Sequence, residues 1–313
     1  MREKVICIYH VRDLDGWCSA SIVKLWVEEK YPEATLELIG WDYGMPLPEI
    51  EKDCEVIMVD VAFPTDEMIK ISAYSRQHFT WIDHHSSAIK EYNERFKNSE
   101  VPYLAIFPKE GENFSACELT WKHLFPKDPM PMMVEMLGLY DCFRHKTLSL
   151  GESQKVLMFQ YASRGIITDP ESCYKHLRYH LEQEAEGNHE HIKDLITTGR
   201  QIYQYLCVEA KQTYDKGFEL FFGKHKFIVC NKERFNPINY QIDYHKEGYD
   251  GAGCFWLRKD GLWEFSLYND NGEVDCSEIC KIRGGGGHKG ASGFTTTNID
   301  VYISCAGSLA VIN

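Results

Sequence analysis

The stretch Phe79-Thr-Trp-Ile-Asp-His-His85 decides the fold class. Four residues suited to a strand run without interruption and then stop at an acid and two imidazoles. Two earlier segments repeat the arrangement. Val5-Ile-Cys-Ile-Tyr9 leads into His10-Val-Arg-Asp-Leu-Asp-Gly16, and Val56-Ile-Met-Val59 ends at Asp60. A short continuous apolar run is what a strand buried on both faces requires. Between the first two runs, Ser19 to Glu29 places Ala20, Val23, Trp26 and Val27 on one side and reads as a helix. Strand, helix, strand at this spacing implies crossover connections and a parallel sheet, so the fold class is α/β. In open parallel sheets, ligand sites lie beyond the carboxyl ends of the strands. The three polar clusters are therefore expected to converge on one edge. Asp141, closing Leu137-Gly-Leu-Tyr-Asp141, is a fourth member.

Taken singly, each cluster has an ordinary explanation. An acid after a strand commonly caps a helix or starts a turn. Asp15-Gly16 alone would be a turn, and a His-His pair alone a surface feature. Jointly they read differently. Several carboxylates with no lysine beside them must be neutralised, and metal ions are the usual means. Oxygen and imidazole ligands suit a divalent transition ion, manganese above all.

A second candidate lies near the C-terminus. Arg283-Gly-Gly-Gly-Gly-His-Lys-Gly-Ala-Ser-Gly293 holds six glycines. Successive N–H groups without side chains form an anion-binding nest, to which His288 and Lys289 add donors. A linker would not carry His-Lys at its centre and then resume as Phe294-Thr-Thr-Thr297, so phosphate binding is the expectation.

Elsewhere, Ser115 with Glu118 forms a capping box ahead of an apolar helix. Ile192, Leu195, Ile196, Ile202, Tyr203 and Leu206 recur at helical spacing. The polar segment Glu182 to Glu190, containing Gly187-Asn188, predicts a break before them. From Phe218 the texture turns to strands at Phe227–Cys230, Gly253–Leu257 and Trp263–Tyr268, with Lys259-Asp-Gly261 as a hairpin turn. The expected organisation is a catalytic domain over 1–150, a helical connector over 151–215 and a smaller α/β domain over 216–313.

A chain of 313 residues fits two domains. With 34 basic against 47 acidic residues, the net charge of −13 argues against a long nucleic-acid track. It does not exclude a short nucleotide held by metal ions. No apolar run approaches the ~18 residues of a membrane span, and Val5 to Tyr9 is too short for a signal-peptide core. The expectation is a cytoplasmic protein with no membrane partner and its 12 cysteines reduced. Cys276 and Cys280 are four apart, which is helix spacing.

These motifs, in this order, resemble the DHH phosphoesterase family, named for Asp83-His84-His85. Tyr9 to Gly16 resembles its first motif, Val59-Asp60 its second and Gly138-Leu-Tyr-Asp141 its fourth. Gly284 to Phe294 resembles the Gly-Gly-Gly-His signature of the DHH-associated C-terminal domain. Two positions depart from the pattern. His10 stands three residues before Asp13, where many members place it two before. Many members carry Ser-Leu-Arg-Ser where this chain has Ser266-Leu-Tyr-Asn269, so Tyr268 replaces an arginine that would touch substrate.

The resemblance implies a parallel-sheet N-terminal domain and a smaller C-terminal domain, with the active site in the cleft between them. It implies two divalent ions, manganese first and magnesium or cobalt as alternatives. His10, Asp13 and Asp60 would hold one, and Asp15, Asp60, His84 and Asp141 the other, with Asp60 bridging. Asp83, His85 and His288 would be catalytic, Asp83 by orienting its neighbours and the two histidines at the scissile phosphate. Arg283, Gly285, Gly286, Gly287, His288 and Lys289 would bind substrate. The implied activity is hydrolysis of short oligonucleotides to 5′-mononucleotides, as in the nanoRNase (oligoribonuclease-like) branch, and a homodimer is among the expected assemblies. The alternatives are a 3′-phosphoadenosine 5′-phosphate phosphatase, a cyclic- or linear-dinucleotide phosphodiesterase, a RecJ-like single-strand exonuclease, and a non-catalytic nucleotide sensor. Inorganic pyrophosphatases share the metal chemistry but lack the glycine loop.

Overall fold

The computed structural model describes residues 4–76 and 78–299. Strands β1 (Lys4–His10), β2 (Thr35–Trp41), β3 (Glu55–Val59), β4 (Phe79–Ile82) and β5 (Leu104–Ile106) form one parallel sheet in the order β2-β1-β3-β4-β5. The three central strands are the continuous apolar runs of the sequence. The two edge strands were not expected there. β2 alternates and is half-exposed, and β5 has only three residues with Leu104 open to solvent.

Helices cover both faces. On one, Val5, Cys7, Ile57, Val59 and Ile82 share a core with α1 (Leu14–Lys30), α4 (Ala116–Leu124), α5 (Met132–Asp141), α6 (Leu150–Ile166) and α7 (Pro170–Ala185). On the other, Ile6, Ile8, Val56, Met58 and Trp81 pack with α2 (Thr65–Tyr74) and α3 (Ser86–Arg95). The alternation along β1 and β3 is the period-two geometry of a strand covered on both sides. The capping box at Ser115 and Glu118 opens α4 as expected. The chain breaks at Gly187, where φ is +69°, before α8 (Glu190–Tyr214).

The chain divides into two compact units, Met1–Gln201 and Ile202–Asn313. The division falls elsewhere than the expected limits of 150 and 215. Val156, Phe159, Cys173 and Leu177 of α6 and α7 join the core of β1, so this part of the expected connector is packed into the first unit.

In the second unit, β6 (Phe218–Phe222), β7 (His225–Asn231), β8 (Gly251–Leu257), β9 (Trp263–Tyr268), β10 (Gly286–His288) and β11 (Ala291–Thr296) form a sheet in the order β10-β11-β9-β8-β7-β6. Only β7 and β8 pair in parallel. β8 and β9 close through Lys259-Asp-Gly261, with Gly261 at φ +84° as a tight turn requires. Stacked Phe265 and Phe294 centre the core, beside α9 (Cys276–Lys281), which buries both of its cysteines. The cysteines among the described residues are all free thiols; Cys305 lies outside them. No helix among the described residues is long and apolar enough to cross a membrane.

Candidate metal centre

The sheet register aligns Tyr9 with Val59 and Val59 with Ile82. The next residue of each strand is therefore His10, Asp60 or Asp83, side by side at the carboxyl edge. Asp60 has φ +60° and donates its N–H to the Ile82 carbonyl at 2.9 Å. The left-handed region is uncommon for residues other than glycine, and asparagine and aspartate are the side chains that tolerate it best.

Asp60 is 2% exposed and lies between two imidazoles. Its Oδ2 is 3.4 Å from His10 Nδ1, and its Oδ1 is 3.4 Å from His84 Nε2. His10 Nδ1 also stands 2.9 Å from Asp13 Oδ2. His84 Nε2 stands 3.4 Å from Asp141 Oδ2 and 3.6 Å from Asp15 Oδ2. Both Asp60 oxygens and His10 Nδ1 are buried and make no well-aligned hydrogen bond, only the close imidazole–carboxylate contacts just given. Buried polar atoms are nearly always satisfied, and this donor set is one that a cation satisfies. Among the described residues, three groups have ligand atoms within 4.8 Å of one another: His10, Asp13 and Asp60; Asp60, His84 and His85; His84, Asp141 and Cys142. They share Asp60 and His84.

The electrostatics follow from crowding five carboxylates, Asp13, Asp15, Asp42, Asp60 and Asp141, around His10 and His84. Burial, reinforced by the charge of Asp15, pushes Asp60 up to about 6 and Asp141 up to about 8. Burial alone would lower the imidazoles, but Asp13 and Asp60 raise His10 to about 10. Asp60, with Cys142 and Asp15, raises His84 to about 12 against the same burial. A bound divalent cation reverses these preferences, because metal ligands must be deprotonated.

Neighbouring elements fix the acids. Asp13 is the N-cap of α1 and accepts from the Gly16 N–H at 3.0 Å. Gly16 has no alternative, since a Cβ there would lie 2.1 Å from the His10 carbonyl oxygen. Asp15 accepts from the N–H groups of Ala116 and Cys117, at 2.9 and 2.8 Å, in the first turn of α4. A helix N-terminus is a natural seat for a carboxylate. Asp141 ends α5, and that helix approaches α4 closely at Gly138, where a Cβ would meet the Glu118 carboxyl at 2.4 Å. Asp83 is fully buried. Its Oδ1 accepts from the N–H groups of His84 and His85 and lies 2.8 Å from His85 Nδ1. That hydrogen bond to Asp83 raises the His85 pKa.

Two neighbours were missed in the sequence. Asp42 follows β2, lies 3.5 Å from His10 Nε2 and pairs with Arg12. It repeats the strand-then-acid pattern, but the strand before it was not recognised. Cys142 Sγ is 3.5 Å from His84 Nδ1 and carried no signal beyond adjacency to Asp141.

In the second unit the glycine stretch is a β-hairpin. Gly286–His288 forms β10 and turns through Lys289-Gly290 into β11. A Cβ at Gly285 would lie 2.1 Å from the Gly293 carbonyl, and Gly287 has φ +136°. Gly286 is different, because a Cβ there would meet nothing within 4 Å. His288 and Lys289 are exposed. Arg283 donates to the Ile279 carbonyl at 2.7 Å and lies over Phe222 and Phe294. Tyr268 pairs with Ala252 and Ala291 and is half-buried.

The fold is that of DHH-family proteins, in agreement with the motifs. The pGpG-specific phosphodiesterase PggH from Vibrio cholerae aligns at TM-score 0.51 and 12% identity, over 96% of this chain and 95% of that one. Exonuclease RecJ bound to manganese aligns at TM-score 0.51 and 13% identity, over 98% and 91%. The DHH domain of a member of a ribosomal-protein family gives TM-score 0.51 and 13% identity, over 93% and 82%. In sequence, the chain is 23% identical over 320 residues to uncharacterized protein R106 of Acanthamoeba polyphaga mimivirus, covering 94% of this chain and 68% of that protein. No family model matches the chain.

Proposed function

We propose that the chain is a metal-dependent phosphodiesterase that cleaves very short oligonucleotides to 5′-mononucleotides. The observation that carries this reading is Asp60, whose two buried oxygens make no well-aligned hydrogen bond and face His10 on one side and His84 on the other. His10, Asp13 and Asp60 would hold one divalent ion, and Asp15, Asp60, His84 and Asp141 the other, manganese being the first choice of metal. When bound, such a pair supplies a water of lowered pKa and neutralises charge on the phosphate. Asp83 holds His85 through Nδ1, so His85 is oriented, and that hydrogen bond raises its pKa. It would stabilise charge developing on the phosphate oxygens. His288, Lys289 and the backbone of Gly285 to Gly287 would bind substrate phosphate.

The acidic balance of the chain supports a short substrate, and the likeness to a pGpG-specific phosphodiesterase supports a dinucleotide as the first to try. Full-length protein with manganese should be offered RNAs and DNAs of two to ten nucleotides, 3′-phosphoadenosine 5′-phosphate, cyclic dinucleotides and pyrophosphate. Release of 5′-mononucleotides, fastest from the shortest chains, is expected. Turnover confined to pyrophosphate or to long single strands would overturn the proposal.

A further inference from the structure

A second cluster of imidazoles, whose ligand atoms do not converge in threes as they stand, lies apart from the strand-end centre at the junction of α7 and α8. His180 is 2% exposed and its Nδ1 has no hydrogen-bond partner. His191 is 8% exposed, and neither ring nitrogen makes a well-aligned hydrogen bond, the Asn188 backbone being a polar contact. The two rings stand 4.4 Å apart, tilted by 54°. Burying imidazoles in this way is unfavourable unless a water or an ion completes them. Sequence spacing adds two more donors. His176 precedes His180 by four residues on α7, and Asp194 follows His191 by three on α8, so each shares a face with its partner. All four line one pocket of ≈ 390 Å³. Burial, with His191 and His176 nearby, pushes His180 down to about 3, so its ring is neutral and keeps a lone pair for coordination.

We infer that His176, His180, His191 and Asp194 form a binding site for a borderline divalent ion such as zinc. Three imidazoles and one carboxylate are a donor set suited to that class of metal. His180 and His191 form its floor. His176, half-buried, and Asp194, exposed, close it by side-chain rotation. The ion ties α7 to α8 across the break at Gly187, and none of its ligands belongs to the strand-end centre.

The test is zinc binding to the full chain after chelator treatment, read by calorimetry and metal analysis. His191→Phe should lose one zinc equivalent that Asp60→Ala retains, while its manganese-dependent hydrolysis equals that of the wild type. Asp194→Asn and His176→Gln, at surface-accessible positions, should weaken the same equivalent at least tenfold and keep the fold by circular dichroism. They decide the matter if His191→Phe does not fold. Equal zinc stoichiometry and affinity in the wild type and these variants would overturn the inference, leaving water as the partner of the two rings.

Discussion

Replacing Asp60 by asparagine separates a metal centre from a cluster of ion pairs. Asparagine is nearly isosteric and tolerates the φ of +60°, whereas alanine would add backbone strain. Burial and the neighbouring charge of Asp15 raise Asp60 from 3.8 to about 6. Folding therefore favours its protonated form. The stability that protonation lends is complete below the unfolded value and is lost as pH rises through the folded one. Ionised at neutral pH, the carboxylate costs the metal-free chain up to about 3 kcal/mol, at ~1.4 kcal/mol per pH unit. Loss of the contacts to His10 and His84 offsets part of the gain on substitution. After chelation, Asp60→Asn should melt a few degrees above the wild type at pH 7.5, and the difference should shrink between pH 6 and 4. With manganese the order should invert, since only the wild type gains from the ion, and turnover of a dinucleotide should fall at least ~100-fold in the variant. Thermal unfolding by circular dichroism at both pH values, with and without manganese, measures all of this. A chelated variant melting well below the wild type at pH 7.5 would show that Asp60 holds its neighbours together as a counter-charge and would refute the reasoning.

Stripping with a chelator should abolish hydrolysis and manganese should restore it; full activity of the stripped protein in EDTA would remove the metal reading. Gly286→Val should leave the melting temperature unchanged yet reduce turnover at least tenfold, because its side chain meets open space where substrate phosphate is proposed to bind. Gly285→Val should instead lower stability by about 2–3 kcal/mol through overlap with the Gly293 carbonyl, measured by urea unfolding. His288→Ala should lose activity with manganese binding intact by calorimetry, and unchanged turnover would exclude His288 from the site. Gly16→Ala should weaken manganese binding at least tenfold, because its Cβ would push against the His10 carbonyl; wild-type affinity in a titration would show that the β1 end adapts.

What was legible in the sequence was set by burial. β1, β3 and β4 are covered on both faces, so their apolar runs are unbroken and the acids that end them stand out. β2 and β5 lie at the sheet edges, where partial exposure removes that signal and hides Asp42 with it. Leu14-Asp15-Gly16 looks like a turn, yet it is the first turn of α1, because Gly16 is there for close approach to β1. The glycine stretch reads as a loop because glycine has little strand propensity; its pairing with β11 depends on a partner strand. The seat of Asp15 on α4 joins residues about a hundred positions apart, which no local pattern records.

That seat has an evolutionary corollary. Asp15 anchors the start of α4, so selection for a folded chain would retain it even after any reaction had been abandoned. Asp60 enjoys no such protection, since its carboxylate accepts from no backbone N–H and is unfavourable when ionised. In a set of relatives drifting away from activity, Asp60 should therefore be the first of these acids to disappear and Asp15 the last. A chain with Asp15 alone testifies only to ancestry, whereas one that keeps Asp60 is still under selection to bind something there.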